Sequence, residues 1–174
     1  MKTVVVHESW FGNTRRLAET IAERLAREGE VDLLTVDDPP PQLVDVDLLV
    51  VGAPTHVHGL SSATSRKGAI DQRKQPGEAG IGVRGWLRAL PEGGGRRTAV
   101  FDTRVEKPVL LVGSAARGVA KRLERRGFEL VVPPESFFVL DSPGPLKDGE
   151  VERAAVWAGR IAELVVREPA AAGA

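Results

Sequence analysis

Short apolar runs alternate with segments of helical periodicity along most of this chain. The first run, Thr3–Val6, is β-branched and favours a buried strand, and apolar residues then recur at helical spacing as far as Gly29. Further apolar runs predict four more strands, at 31–36, 48–51, 98–101 and 136–140. Helical spacing predicts three more helices, at 83–90, at 114–127 with Ser114 as N-cap, and from about 148 onward. Strands that alternate with helices form a parallel sheet through right-handed crossovers, so the sequence predicts a doubly wound α/β protein.

Three segments do not follow this alternation. Val109–Val112 is apolar and short, which fits an extra strand or an apolar loop, and the sequence leaves the choice open. Residues 61–80 are polar and glycine-rich, which predicts a long excursion from the sheet. The last residues, 169–174, are expected to be a disordered tail. A length of 174 residues suffices for one core and is short for two, so one domain over 1–168 is expected.

Composition and charge exclude several classes of function. The chain has no cysteine, which excludes a disulfide framework, an iron–sulfur cluster, thiolate zinc and a thiol nucleophile. It has 24 basic and 24 acidic residues, and no basic run is interleaved with aromatic residues, so nucleic acid is not an expected partner. No apolar stretch has the length of a secretory signal or a membrane span, and a cytoplasmic protein is expected. The cations of the predicted 114–127 helix are interpreted as a solvated face: Lys121, Arg122, Arg125 and Arg126.

The loop after the first strand combines hydroxyl groups, an amide and a glycine at the start of a helix. It comprises Ser9, Trp10, Phe11, Gly12, Asn13 and Thr14. Backbone N–H groups and the positive end of the helix dipole converge at such a junction, which favours the binding of an anion. An ordinary turn at Gly12 followed by a helix cap explains the same residues, and the spacing does not decide between the two. Neither GxGxxG nor the GxxxxGK motif occurs here, which argues against a dinucleotide or a nucleoside triphosphate.

The SWFGNT segment at 9–14 resembles the phosphate loop of the flavodoxin family. That loop has a hydroxyl residue, any residue, a hydroxyl residue, Gly, Asn and a hydroxyl residue. Phe11 departs from the pattern, because Thr or Ser is usual at its position. The resemblance extends from Lys2 to about Val166, with the order of elements matching. It implies noncovalent flavin mononucleotide (FMN), electron transfer, and a three-layer sandwich whose five-stranded parallel sheet has the order 2-1-3-4-5.

Two more loops follow strands at places where the same family contacts its flavin. One contains Pro54, Thr55, His56, Val57, His58 and Gly59, and the other contains Asp102, Thr103 and Arg104. The resemblance implies FMN contacts from both loops. For His56 and His58 the competing interpretation is solvated loop histidines, and no metal site is expected because no thiol and no third ligand accompany them. For Asp102 and Arg104 the competing interpretation is a salt bridge at the strand end.

The aromatic residues leave two functions open. Flavodoxins commonly place aromatic rings against the flavin, but this chain has no tyrosine and only Trp10, Trp86 and Trp157. Trp157 and Trp86 are expected in the core, and Trp10 either shields the cofactor or contacts a partner. In the first hypothesis the protein binds FMN and passes electrons to a redox partner protein or to a small acceptor such as a quinone. In the second it is a non-redox interaction or regulatory module of the same fold that does not retain FMN.

Overall fold

The strands and helices alternate along the chain as the sequence predicts. The computed structural model describes residues 1–38, 40, 42–55, 59–62, 64–65, 67–68 and 80–167. The strands are β1 (Lys2–His7), β2 (Glu30–Thr35), β3 (Leu48–Pro54), β4 (Arg97–Val105), β5 (Glu129–Leu130) and β6 (Glu135–Val139). The helices treated below are α1 (Asn13–Leu25), α2 (Gly82–Ala89), α3 (Val109–Val112), α4 (Ala115–Glu124) and α5 (Glu150–Arg167).

The strands form one parallel sheet in the order β2-β1-β3-β4-β5, with β6 also paired to β4. β5 pairs with the start of β4, at Arg97 and Thr98, and β6 pairs with the end of β4, from Phe101 to Val105. The two short strands therefore follow one another at a single edge position, and the predicted order 2-1-3-4-5 is confirmed. Pro133 and Pro134 lie between them and have no N–H group to donate to β4, which accounts for the interruption.

The helices cover both faces of the sheet, so β1 and β3 are buried along nearly their whole length. Val4 and Val6 point toward α2 and α4, and Val5 points toward α1 and α5. Trp86 lies in the first of these clusters and Trp157 in the second, which confirms both as core residues. Trp157 packs edge-to-face with Phe101 and Phe137, with ring centroids 6.0 Å apart in each pair.

The segments that were open or irregular in the sequence have different outcomes. Val109–Val112 is the short helix α3, with Leu110 94% exposed, so it is neither an extra strand nor a loop. Most of the excursion at 61–80 and all of the tail at 169–174 lie outside the described residues. The N-cap of α4 is Ser114 as predicted, and its hydroxyl accepts a hydrogen bond from the Arg117 N–H. Within the described part of the chain, no helix is long and apolar enough to cross a membrane.

Candidate functional site

The 9–14 loop turns the chain from β1 directly into α1. Gly12 is the N-cap of α1 and has a φ of 88°, a left-handed backbone conformation that favours glycine. A Cβ at this position would have no other atom within 4 Å, so the backbone conformation and not crowding selects glycine. Gly12 contributes no side-chain cap to the helix. The first turn of α1 is therefore open on the side where its N–H groups emerge.

Several N–H groups of this loop have no acceptor among the residues that the structure describes. The hydroxyl of Ser9 accepts a hydrogen bond from the Arg15 N–H at 3.1 Å, which satisfies one amide of the first turn. The backbone N–H groups from Trp10 to Thr14 make no hydrogen bond to any described residue. Consecutive free amides at a helix N-terminus fit an anion such as a phosphate monoester, without a cationic side chain.

The loops after β1, β3 and β4 surround a cavity of about 520 Å³ at the carboxyl ends of the strands. Most of the predicted site residues that the structure describes line it: Ser9, Trp10, Phe11, Asn13, Thr14, Pro54, Thr55, Thr103 and Arg104. Gly12, Gly59 and Asp102 are not among its lining residues. The predicted residues His56, Val57 and His58 lie outside the described residues. Three loops that are distant in sequence therefore converge on one cavity.

A further wall of the cavity was missed by the sequence reasoning. It is formed by Val105, by Leu111 and Val112 of α3, by Val139 of β6 and by residues 141–144, and Ser65 and Gly68 also line the cavity. The Asn13 side-chain amide donates to the Gly144 carbonyl at 2.7 Å, which joins the first loop to this wall. Residues 141–144 carry no recognisable motif. Their one signal is their position after the last strand, because ligands of parallel sheets bind beyond the carboxyl ends.

Two side chains connect the first loop to its neighbours. Thr14 and Thr103 share a buried hydrogen bond at 2.8 Å between their hydroxyl oxygens. The Trp10 indole N–H donates to one carboxylate oxygen of Glu8 at 2.8 Å, and the other oxygen accepts the Val83 N–H of α2 at 2.8 Å. Glu8 is only 3% exposed, so its carboxylate fixes the Trp10 ring against the start of α2. Glu8 belongs to no motif, so its role depends on partners that only the fold brings close.

Asp102 lies behind the cavity wall. It is fully buried, and its Oδ2 accepts hydrogen bonds from the Thr55 hydroxyl at 3.0 Å, the Ser114 hydroxyl at 2.6 Å and the Ala116 N–H at 2.9 Å. Its Oδ1 is buried without a partner among the described residues. Asp102 thus ties the loop after β3 to the first turn of α4, and it reaches the cavity through Thr55.

Arg104 brings a positive charge to the cavity. Its guanidinium lies over the Phe138 ring, 5.0 Å from the centroid, and donates to Ser136 Oγ at 3.1 Å and to the Lys107 carbonyl at 2.7 Å. No carboxylate of the described residues is within salt-bridge distance of it. The alternative of a strand-end salt bridge with Asp102 is therefore not observed. The charge is held in place by neutral acceptors and stays available to a ligand.

His7 ends β1 immediately before the loop and is 5% exposed. Burial lowers the pKa of this imidazole from its ordinary value, and the charge of Arg15 lowers it further against the opposing charges of Glu19 and Asp38. His7 is therefore neutral at neutral pH and adds no charge to the loop. Among the described residues, no group of three or more His, Cys, Asp or Glu side chains is placed to hold a metal ion.

Comparisons with known proteins agree with this architecture. A family profile described as "Flavodoxin domain" matches residues 4–66, which include most of β1, the 9–14 loop and β3. No curated protein sequence matches the chain. The chain thus resembles the flavodoxin family, as its loops predict.

Solved structures with this architecture cover nearly the whole chain. A flavodoxin from the domain Archaea has 18% sequence identity and a TM-score of 0.65, over 95% of this chain and 99% of that chain. Flavodoxin 2 from Bacillus cereus has 23% identity and a TM-score of 0.65, over 94% and 99%. A flavodoxin, WrbA-like protein from Agrobacterium tumefaciens has 20% identity and a TM-score of 0.60, over 95% and 98%. Structural similarity at these sequence identities establishes the fold, and the activity has to be inferred from the site.

Proposed function

We propose that this chain, which has the flavodoxin fold, binds FMN noncovalently in the 520 Å³ cavity and uses it for electron transfer. The observation that carries the proposal is a run of N–H groups from Trp10 to Thr14, at the N-terminus of α1 and at one end of that cavity, that make no hydrogen bond to a described residue. Those amides would hold the phosphate. A cavity of this size is in the range that small-molecule and cofactor sites occupy.

The remaining walls fit a partly apolar ring system. Pro54, Leu111 and Val112 present apolar surface to the cavity, and Thr55, Thr103 and Arg104 present hydrogen-bonding groups. Apolar walls with a few fixed polar groups are typical of cofactor sites. Bound FMN supplies one- or two-electron chemistry that no side chain of this cysteine-free chain provides. The protein's own contribution is to bind the phosphate, orient the ring and limit its access to water.

The electron acceptor would be the molecule that can reach the flavin ring in the cavity. Exposed apolar residues lie next to the cavity, with Phe11 39%, Leu111 61% and Leu140 63% exposed. This border suits either a redox partner protein, for which the chain would be a carrier, or a small acceptor such as a quinone, for which it would be a reductase. Single-turnover oxidation of the photoreduced holoprotein by a quinone separates the two, because a rate that saturates with quinone concentration indicates that the quinone binds at the site.

The first experiment is calorimetric titration of the apoprotein with FMN and with riboflavin, which lacks the phosphate. We expect FMN to bind at least tenfold more tightly, because riboflavin has a neutral hydroxyl group where FMN presents an anionic phosphate to the backbone amides. Equal affinity for the two ligands would contradict a phosphate site at 9–14. The absorption spectrum of the titrated protein reports flavin binding independently of the heat.

Gly12→Asp tests the same loop and has a matched control. A carboxylate beside the phosphate adds like-charge repulsion of about 4 kcal/mol for charges about 4 Å apart near a protein surface, so FMN affinity should fall by more than tenfold. Gly149 also has a positive φ, also directly precedes a helix and also has open space around its Cβ. Gly12 lies between Phe11 and Asn13, which both line the cavity, whereas neither Gly149 nor its chain neighbours line it. Gly149→Asp therefore repeats the backbone strain without the charge at the site, and it should leave FMN affinity unchanged.

A second function is favoured by one specific observation. Phe11 stands where the family pattern has a hydroxyl residue, so this loop offers one donor fewer than the pattern implies. The alternative is a non-redox interaction or regulatory module of the same fold. Purified protein that stays colourless after incubation with excess FMN would favour this alternative.

A further inference from the structure

Helices α2 and α4 pack side by side on one face of the sheet, and their outer surface carries cations without matching carboxylates. Its six basic residues, here named the α2–α4 basic face, are Arg84, Arg88, Arg117, Lys121, Arg122 and Arg125. Glu124 is the one acidic residue in the two helices. From the sequence, the cations of α4 were interpreted as a solvated face. The sequence does not show that the arginines of α2 lie beside them.

The six cations are not neutralised within the described part of the chain. None of them is within salt-bridge distance of a described carboxylate, and Arg84 and Arg122 donate only to backbone carbonyls. Neighbouring Arg126, by contrast, is paired with Glu92 at 3.3 Å. Burial lowers the pKa of the Arg122 guanidinium, and the charges of Arg84, Arg125 and Arg88 lower it further. The cations of the two helices are therefore close enough to repel one another.

The balancing negative charge lies elsewhere in the molecule. The chain has no net charge, yet its β2 edge and the loops next to it carry six carboxylates: Glu30, Asp32, Asp37, Asp38, Asp45 and Asp47. Positive and negative charge are thus separated onto different surfaces. Like charges that cluster without internal partners repel one another and lower the stability of the folded protein. A negatively charged partner would relieve this repulsion.

We propose that the α2–α4 basic face is a docking surface for a carboxylate-rich patch on another protein. Five of the six cations are arginines, whose planar guanidinium pairs with carboxylates in two parallel hydrogen bonds. The described residues of α2 and α4 expose no aromatic side chain to stack on bases or to enter a membrane, because Trp86 is fully buried. An extended polyanion would also meet the acidic β2 edge and be repelled by it, whereas a short acidic patch can contact the basic face alone.

The proposal does not depend on FMN, since none of the six cations lines the cavity. The surface nevertheless begins close to the cavity, because Val112 lines it and α4 starts at Ala115. A partner docked on this face therefore lies next to the cavity mouth. The interaction is expected in the apoprotein and in the FMN-loaded protein alike.

The test uses a short, fluorescently labelled poly-L-glutamate peptide as probe, so that it can contact the basic face without reaching the acidic β2 edge. Poly-L-glutamine of the same length is the neutral control, and binding is measured by fluorescence anisotropy. The face variant combines Arg88→Glu, Lys121→Glu and Arg125→Glu, which are exposed residues without side-chain hydrogen bonds to described residues. The matched control makes the same charge change on exposed positions of α1 and α5 or directly after α1: Arg16→Glu, Arg27→Glu and Arg160→Glu. Circular dichroism melting checks that both variants are folded.

We expect the unmodified protein to bind poly-L-glutamate and not poly-L-glutamine, and to lose affinity as salt is raised. The face variant should bind about tenfold more weakly or worse, from the loss of several exposed ion pairs, and clearly more weakly than the control variant. A milder variant with glutamine at the three face positions should lose part of the affinity. Equal weakening in the face and control variants, or unchanged binding in the folded glutamine variant, would overturn the proposal. Tighter binding to phosphatidylserine vesicles or duplex DNA than to the peptide would overturn it as well.

Discussion

Replacing Asp102 with alanine removes the carboxylate that joins the loop after β3 to the first turn of α4. Its Oδ2 accepts two hydroxyl hydrogen bonds, from Thr55 and Ser114, and one backbone hydrogen bond, from Ala116. Asp102 is fully buried, so water does not replace it at this position. The substitution therefore leaves three donors without their acceptor: two half-buried hydroxyl groups, and one buried backbone N–H that cannot turn toward another acceptor.

The expected loss of unfolding free energy follows from these three donors. Each buried donor left without an acceptor costs about 1–3 kcal/mol, and hydroxyl groups that can rotate fall at the lower end of that range. We therefore expect Asp102→Ala to lower the unfolding free energy by about 4 kcal/mol. Asp102→Asn keeps an acceptor oxygen but loses the charge and places an amide NH₂ where Oδ1 has no described partner, so a loss of about 2 kcal/mol is expected.

Urea unfolding followed by the fluorescence of Trp86 and Trp157 measures both losses, because both rings are buried. The dependence on urea concentration should keep its slope, since neither variant changes the surface exposed on unfolding. Asp32→Ala is the control, because Asp32 is exposed on the edge strand, and its effect should be within about 0.5 kcal/mol. A loss of less than about 1 kcal/mol in Asp102→Ala would refute the reasoning, because it would mean that the three donors find other acceptors.

Three other substitutions test separate parts of the fold. The folded pKa of His7 is lowered, so the unfolded chain binds a proton that the folded protein does not when the pH falls below about 6.5, and the unfolding free energy falls with it. In His7→Gln, the unfolding free energy measured in urea should therefore depend less on pH between about pH 7.5 and pH 5. Gly52→Ala would place a Cβ 2.2 Å from the Phe101 ring, which should cost about 1–3 kcal/mol in thermal unfolding, whereas Gly59→Ala meets open space and should be neutral. Glu150→Ala removes the buried carboxylate that accepts the Phe138 N–H, which should cost about 2 kcal/mol by urea unfolding; a loss that disappears in high salt would contradict a role for that hydrogen bond.

The sequence predicts the elements well because their signals are local. The buried run of β1 and the apolar spacing of α1 depend on neighbours within a few residues, and the Ser114 cap lies next to the helix that it begins. Val109–Val112 was expected to be an extra strand or an apolar loop, because four apolar residues are too few to show a helical period. Both alternatives are wrong, since the segment is an exposed helical turn.

The site is predicted only in part, because several of its contacts join residues that are distant in sequence. The 9–14 loop carries a motif and was found, whereas the wall at 141–144 is joined to it by Asn13 and Gly144, which are 131 residues apart. Glu8 and Asp102 acquire their roles from partners on α2 and α4 that only the packed fold brings close. Spacing in one segment contains no information on such pairs.

The topology explains why the cavity lies where it does, even with a departure at Phe11. From β1 the chain returns through α1 on one face of the sheet to β2, and from β3 it continues through α2 on the opposite face to β4. β1 and β3 are neighbours, so the two connections leave adjacent strand ends in opposite directions and open a crevice between them. The free amides of α1 face that crevice whatever side chain stands at position 11. Phe11 therefore changes how many donors a phosphate would find. The position of the cavity is set by the strand order and does not depend on Phe11.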